Sequence, residues 1–457
     1  MNRLVSSNPS QNYLPLGEVA ISTPEEIKQK VAAAHRAQHL WYALGVEKRV
    51  EILGKVIAHF AQDQERLALL MAQEMGMPLK EARSDMTSGI AYFNSYLDTA
   101  AAYLQECITY ETASEIHQVY HEPYGVAAVI VAWNFPFSNF VWQCGQNLVA
   151  GNTVVFKCSE ETPLFGKEIE KVLTAALPLG VFNEVYGDGI VGELLLQEDI
   201  NLICFTGSSK VGCSVNQLAA QRLISTVLEL GGSAPGIIFA DSDIDAIKDT
   251  VFLNRFTNCG QMCDALKRLI VHESKVAEVI AKLAAIINTK QIGDAANEET
   301  DIGPLVAKRQ LDLLEQQVAD AIEKGANVIV GGKRPEAFAG AYYQPTLLTN
   351  ITYEMRVWRE EVFGPVLPIV TFATEEEAIA LANDTPYGLG AYLFTQDSAR
   401  FLRVAHQLQT GMVAQNNLSY VNVHNPFGGY KMSGNGREHA QFGFNKVTQI
   451  KAIAREK

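Results

Sequence analysis

The chain has 457 residues, 48% of them hydrophobic and 19% charged, which suits two or three folded domains with a substantial core. A formal net charge of −14 argues against nucleic acid or an anionic membrane as partner. Seven scattered cysteines form neither a disulfide framework nor a zinc ribbon, so no metal site is expected and a reducing compartment is.

No run approaches ~18 uninterrupted apolar residues, the length of a membrane span. The opening Met1-Asn2-Arg3-Leu4-Val5-Ser6-Ser7 lacks an apolar signal core, so the expectation is an unprocessed N-terminus and a cytoplasmic location. From Pro24 to about Leu104 the apolar residues recur with helical periodicity. Residues 108–112 and 117–122 then alternate as a half-exposed hairpin would. Short apolar runs at 126–131, 153–156, 181–186 and 202–206 alternate with helical stretches. That rhythm predicts βαβ units and a parallel sheet with helices on both faces. A second α/β series follows Gly232, with strands expected at 236–239, 268–271, 327–330 and 367–372. Cys144 and Cys204 lie in apolar runs and read as buried hydrophobes.

Several segments carry chemistry. Gly187-Asp188-Gly189-Ile190-Val191-Gly192 matches G-x-G-x-x-G, a weak signal without a suitably placed acidic residue downstream. Phe205-Thr206-Gly207-Ser208-Ser209-Lys210 puts glycine and two hydroxyls at a strand-to-helix turn. This is either a serine N-cap or a cradle of free amides for a diphosphate. Cys263 lies in Gly260-Gln261-Met262-Cys263, and Glu229 lies 34 residues earlier beside Gly231-Gly232, whose lack of bulk is expected to let the carboxylate swing toward a water near Cys263. A thiol and a carboxylate are what a thioester mechanism needs: one attacks a carbonyl, the other activates the water that releases the product.

Together with Ala132-Trp133-Asn134-Phe135-Pro136-Phe137 and Glu360-Glu361-Val362-Phe363-Gly364-Pro365, these segments resemble the aldehyde dehydrogenase superfamily, from about Ala32 to the C-terminus. Gly231-Gly232-Ser233-Ala234-Pro235 and Ala265-Leu266-Lys267-Arg268 resemble its short succinate-semialdehyde dehydrogenase branch. The resemblance implies an α/β fold with three parts. A Rossmann-like NAD(P)-binding domain takes residues 1–106 and 124–231, and an α/β catalytic domain takes 232–437. A β-hairpin oligomerisation segment takes 107–123 and 438–457, giving a homodimer or homotetramer.

It further implies oxidation of an aldehyde to a carboxylic acid. Cys263 is the nucleophile, Glu229 the hydrolytic base, and Asn134 an oxyanion-hole amide beside the Cys263 N–H. The implied cofactor residues are Trp133, Lys157, Glu160, Gly207, Ser208, Glu361 and Phe363. Gly207 and Ser208 meet the diphosphate, Lys157 and Glu160 the adenosine ribose, Glu361 the nicotinamide ribose, and Phe363 the ring. Glu160 would repel a 2′-phosphate, so NAD is favoured over NADP. Cys158 stands where proline is usual. The implied pocket is Phe135, Trp142, Met262 and Val421, an apolar tunnel for a simple aldehyde.

Trp142 and Gln143 occupy positions where an arginine often reads a distal carboxylate. Arg255 is then the remaining candidate, with a surface salt bridge as its other reading. Asn416 and the 425–434 stretch read as supports. No His or Lys motif is evident at the thiol. Cys259 reads as a packing residue or as a reversible disulfide partner of Cys263. Glu229 argues against a CoA-acylating enzyme, and the presence of Cys263, Glu229 and Asn134 argues against a catalytically silent structural or binding protein on the same fold.

Overall fold

Thr23 opens the first helix with a capping box: its hydroxyl accepts the Glu26 N–H at 3.2 Å, and the Glu26 carboxylate accepts the Thr23 N–H at 2.8 Å. The computed structural model describes residues 3–457; Met1 and Asn2, which begin the N-terminus read as unprocessed, lie outside them. The helical periodicity resolves into four helices, Pro24–Ala43, Gly45–Gln62, Gln64–Met75 and Leu79–Leu104. Before them Arg3–Asn8 and Leu14–Ala20 form an antiparallel pair, whose Ser6 hydroxyl donates to buried Glu74 at 2.6 Å.

The first sheet is built on Val126–Ile130. It pairs in parallel with Thr153–Lys157 on one side and Leu202–Thr206 on the other. Phe182–Glu184 and Ser225–Glu229 extend it outward, and Gly434–Asn435 closes one edge antiparallel to Ser225–Glu229. Every residue of Val126–Ile130 and Thr153–Lys157 is buried, because helices cover both faces. Strand order reverses at Val126–Ile130, so a crevice opens over the C-terminal ends of the three central strands.

The second sheet has seven strands, in the order Asn327–Val330, Thr346–Thr349, Val366–Phe372, Leu266–His272, Ala234–Ile238, Gly390–Phe394 and Met412–Gln415. Only the first pair is antiparallel. The third layer is a three-stranded antiparallel sheet of Cys107–Glu111, Glu115–Pro123 and Thr448–Glu456. Among the described residues no helix is long and apolar enough to cross a membrane.

Among the described residues seven strands escape the sequence reading, three of them Arg3–Asn8, Leu14–Ala20 and the two-residue Gly434–Asn435. Ser225–Glu229 begins with two hydroxyl residues, and the apolar Gly390–Phe394 directly follows a Pro-Tyr-Gly-Leu turn that masks its start. Thr346–Thr349 and Met412–Gln415 are only four residues long. The expected 181–186 run shortens to Phe182–Glu184.

Candidate active site

Three backbone segments meet over the crevice, and each carries one of the chemical groups expected from sequence. Asn134 follows the central strand, just before the Pro136–Ala150 helix. Its side-chain N–H donates to the Gln261 carbonyl at 3.1 Å, two residues before Cys263, while its own amide oxygen accepts from Asn139 at 3.2 Å. The amide is therefore oriented from both ends. Glu229 ends the Ser225–Glu229 strand, is 4% exposed, and has no hydrogen-bond partner on either carboxylate oxygen.

Cys263 is half-buried, and burial pushes its thiol well up. Asp264 adds to that push and Lys267 opposes it, with smaller upward contributions from Glu361 and Glu229. Burial also pushes the Glu229 carboxyl well up. Glu438 adds to the effect, because two carboxylates in one dry place resist double ionisation, and Arg437 opposes it. Glu438 is itself pushed up to about 8 by burial.

The loop before Cys263 is strained. Asn258 and Cys259 take left-handed backbone, φ 52° and 54°, a conformation that costs a residue with a side chain about 1–2 kcal/mol. Cys259 is buried in the second core and pushed up by burial, so the packing reading is the one its surroundings support; all seven cysteines are free.

Two details depart from the sequence reading. Gly231 and Gly232 do not make room for Glu229 to swing. A Cβ on Gly231 would lie 2.2 Å from Glu361 Oε2, and one on Gly232 would lie 2.5 Å from the Cys263 carbonyl oxygen. These glycines let Glu361 and the Cys263 backbone approach. The glycine that faces Glu229 is Gly428, where a Cβ would sit 2.9 Å from Glu229 Oε1.

Arg255 is not at the surface and forms no salt bridge. It is fully buried, donating to the carbonyls of Val362, Gly364 and Val366. Bound to the backbone that carries Phe363, it is closed off from solvent, with Nη1 left without a partner among the described residues.

Lys267, in the Ala265-Leu266-Lys267-Arg268 motif, has contacts that the motif alone does not reveal. Its side chain is 1% exposed, and its ammonium donates to Cys263 O and Gly232 O at 2.9 Å each and to Glu361 Oε1 at 2.5 Å. It also lies 5.1 Å from the centroid of the Phe363 ring. The signal was its position four residues after Cys263, within the strand Leu266–His272.

Several of the expected cofactor residues stand at or just after the C-terminal ends of the first sheet's strands. Lys157 ends the Thr153–Lys157 strand with its side chain 4% exposed and its Nζ 3.9 Å from Glu160. Glu160 also lies 4.0 Å from Arg309, which pairs with Glu161. Gly207 and Ser208 lead into the Ser209–Gln221 helix, whose N-cap is Ser208. Free amides at that helix start, a buried ammonium and a nearby carboxylate are donors and acceptors that suit a dinucleotide's diphosphate and ribose. Gly189–Gln197 is capped by Asp188, so the G-x-G-x-x-G run opens a helix. Trp133 meets Phe363 edge to face at 5.6 Å.

Of the expected pocket residues, Trp142 and Val421 touch both large cores and so lie on the seam between the two sheets' domains. Phe135 packs on the first core, and Met262 is half-buried beside Cys263. Trp142 also packs on Tyr92, Phe427 and His439, with ring centroids 4.5–5.2 Å apart. Asn416 clamps the Thr395 backbone from both sides at 3.0 Å, which is a supporting contact.

A model of the aldehyde dehydrogenase family matches residues 2–453. The NADP(+) succinate-semialdehyde dehydrogenase of Escherichia coli (strain K12) is 35% identical over 448 residues, covering 97% of this chain and 92% of that protein. A betaine aldehyde dehydrogenase of Bacillus subtilis (strain 168) is 36% identical over 452 residues, covering 97% and 92%. A solved NAD+ complex of an aldehyde dehydrogenase from Bacillus cereus superimposes with a TM-score of 0.96 at 31% identity, covering 100% of this chain and 93% of that one. Relatives of different substrate and cofactor thus stand at nearly equal similarity.

Proposed function

The chain belongs to the aldehyde dehydrogenase family, and on that premise we propose that Cys263, Glu229 and Asn134 carry out its oxidation of an aldehyde to a carboxylic acid. The observation that carries this reading is the meeting of an oriented Asn134 amide, the Cys263 loop and a buried, unpartnered Glu229 carboxyl.

The Cys263 sulfur adds to the aldehyde carbon. The oxygen becomes an alkoxide held by the Asn134 side-chain N–H and the Cys263 N–H, donors of a kind worth roughly 3 kcal/mol each in other enzymes. A bound nicotinamide dinucleotide supplies the hydride acceptor. Loss of the aldehyde's hydrogen as hydride leaves a thioester on Cys263. Glu229 then takes a proton from water as its oxygen adds to the thioester, and the Cys263 thiolate leaves as the acid forms.

The cofactor's diphosphate is assigned to Gly207, Ser208 and the helix start, and the adenosine ribose to Lys157 and Glu160. Trp133, Phe363 and Glu361 are assigned to the nicotinamide end. Both hydrogen bonds to Glu361 fall on Oε1, and Oε2 is the oxygen offered to a ribose hydroxyl. Glu160 favours NAD over NADP. Residues 1–106 and 124–231 form the cofactor domain on this reading, and 232–437 the catalytic domain. Gly434–Asn435 of the latter closes the edge of the cofactor sheet.

Phe135, Trp142, Met262 and Val421 present an uncharged wall, and the three ammonium hydrogens of Lys267 are all engaged. A neutral aliphatic or aromatic aldehyde is therefore the substrate favoured over a carboxylated one. Residues 107–123 with 438–457 form the oligomerisation segment of a homodimer or homotetramer. Supporting this, the Cys107–Glu111 strand is exposed throughout and the Thr448–Glu456 strand beyond Thr448, leaving sheet edge and face to be covered. Free cysteines support a cytoplasmic location.

Rapid-mixing measurement of NADH tests the assignment. Cys263→Ala abolishes the burst while NAD binding persists. Glu229→Gln keeps the burst and slows turnover by roughly a hundredfold or more. Equal loss of both phases in Glu229→Gln would remove the hydrolytic role.

A further inference from the structure

Asn258, Cys259 and Gly260 take left-handed backbone in succession, with φ of 52°, 54° and 73°. Two of the three carry side chains, so surrounding contacts must hold the turn in place. Those contacts run in one line. The Glu81 carboxylate accepts the Asn258 N–H at 2.7 Å. The Asn258 side-chain N–H donates to the Asn134 backbone carbonyl at 2.7 Å. The Gln261 amide bonds the Asn258 carbonyl at 3.1 Å and the Val306 N–H at 3.0 Å. Asn134 closes the circuit by donating to Gln261 O.

We propose that Glu81 is a positioning residue for the oxyanion hole: it fixes Asn258, and Asn258 fixes Asn134 and the backbone leading to Cys263. Glu81 lies in the first turn of the Leu79–Leu104 helix, 177 positions before its partner in sequence, and it touches neither substrate nor cofactor on the reading above.

The choice of acceptor fits this role. The turn presents one N–H inward, away from strand partners, and a lone buried N–H is costly to leave unpaired. The residue is half-buried with its carboxyl enclosed, and burial pushes that carboxyl up to about 8, with the Asn258 N–H and Lys80 opposing. Ionised or protonated, this carboxyl presents an acceptor oxygen to the Asn258 N–H. A glutamine at this position therefore offers the same carbonyl oxygen, whereas alanine or leucine offers none.

The proposal rests on the oxyanion role assigned to Asn134, and a double-mutant cycle separates the two. The NADH burst rate, NAD affinity and melting temperature are measured for Glu81→Ala, Glu81→Gln, Asn134→Ala and the Glu81→Ala/Asn134→Ala pair. Glu81→Ala slows the burst roughly tenfold to a hundredfold, as small misplacements of reacting groups do, with NAD affinity unchanged. Glu81→Gln stays within about threefold of the parent, and the double variant is no slower than Asn134→Ala alone.

Losses that multiply in the double variant would overturn the link to Asn134 while leaving the Asn134 role intact. A parental burst in Glu81→Ala, or a Glu81→Gln as slow as alanine, would also overturn it. An Asn134→Ala enzyme with the parental burst would remove the oxyanion role and the proposal with it.

If Glu81→Ala does not fold, Asn258→Gly reads the same line of contacts. Glycine relaxes the positive φ and removes only the side-chain bond to Asn134. The expected result is an intact fold with a slowed burst; an unslowed burst would overturn the proposal.

Discussion

The Lys267 ammonium donates to the carbonyl oxygen of Cys263 at 2.9 Å, four residues back along the same chain. The same ammonium ties in Gly232 and the Glu361 carboxylate, so one buried cation gathers the Cys263 backbone and the carboxylate assigned above to the nicotinamide ribose. Its charge is the one that opposes the upward push of burial, Asp264, Glu361 and Glu229 on the thiol.

Removing that charge while keeping the stem tests its effect. In Lys267→Met the thiolate is less populated at neutral pH, because the cation that opposes the push is gone. Alkylation of Cys263 by iodoacetamide at pH 7 is expected to slow roughly tenfold, with its pH profile displaced to higher pH. A profile that stays in place would make Lys267 a tether only.

The base follows the same sign. Glu229 must be ionised to take a proton, and burial with Glu438 pushes its carboxyl well above the ordinary carboxylate range. Its basic form therefore grows as pH rises and is lost as pH falls. Where hydrolysis limits turnover, the rate should climb about tenfold per pH unit on the acid side of this titration. Single-turnover hydrolysis of the thioester separates that limb from the thiol's. Glu229→Gln should flatten it, and a limb that survives the substitution would belong to another group.

These side chains were unequally legible before folding. Asn134, Glu229 and Cys263 sit in short contiguous motifs, so their chemistry is written locally, and the βαβ rhythm of fully buried strands was equally local. Glu81 and Arg255 act through bonds to carbonyls and amides more than a hundred residues away, which no local pattern encodes. Gly231 and Gly232 were recognised, but the groups crowding them, Glu361 and the Cys263 carbonyl, come from other strands and loops. The missed strands are short, begin with polar residues or carry Pro and Gly within or just before them, and the sheet neighbours decide that they pair.

Substrate charge turns on Trp142. Arg255 is spent on three backbone carbonyls, and the pocket wall at Trp142 is aromatic where an arginine would read a carboxylate. The parent enzyme should prefer hexanal or benzaldehyde to succinate semialdehyde in kcat/KM. Trp142→Arg should move the ratio toward the semialdehyde by about tenfold or more, since a charge-assisted pair replaces an apolar contact. A parent enzyme that already prefers the semialdehyde would place the carboxylate against a group other than Arg255.

The adenosine ribose offers the sharpest comparison, because a carboxylate and a guanidinium stand together there. Glu160 lies 3.9 Å from Lys157 and 4.0 Å from Arg309, while Arg309 is held mainly by Glu161. On the proposed assignment a 2′-phosphate entering this corner would meet the Glu160 charge first, and that repulsion would favour NAD. In Glu160→Gln the repulsion is gone and Lys157 and Arg309 face the phosphate together, so kcat/KM with NADP should rise about tenfold. Adding Arg309→Ala should cancel most of that gain without harming use of NAD. If NADP use were indifferent to both substitutions, the corner would not be where the 2′-position is read, and the preference would have to arise at the diphosphate end, around Gly207 and Ser208.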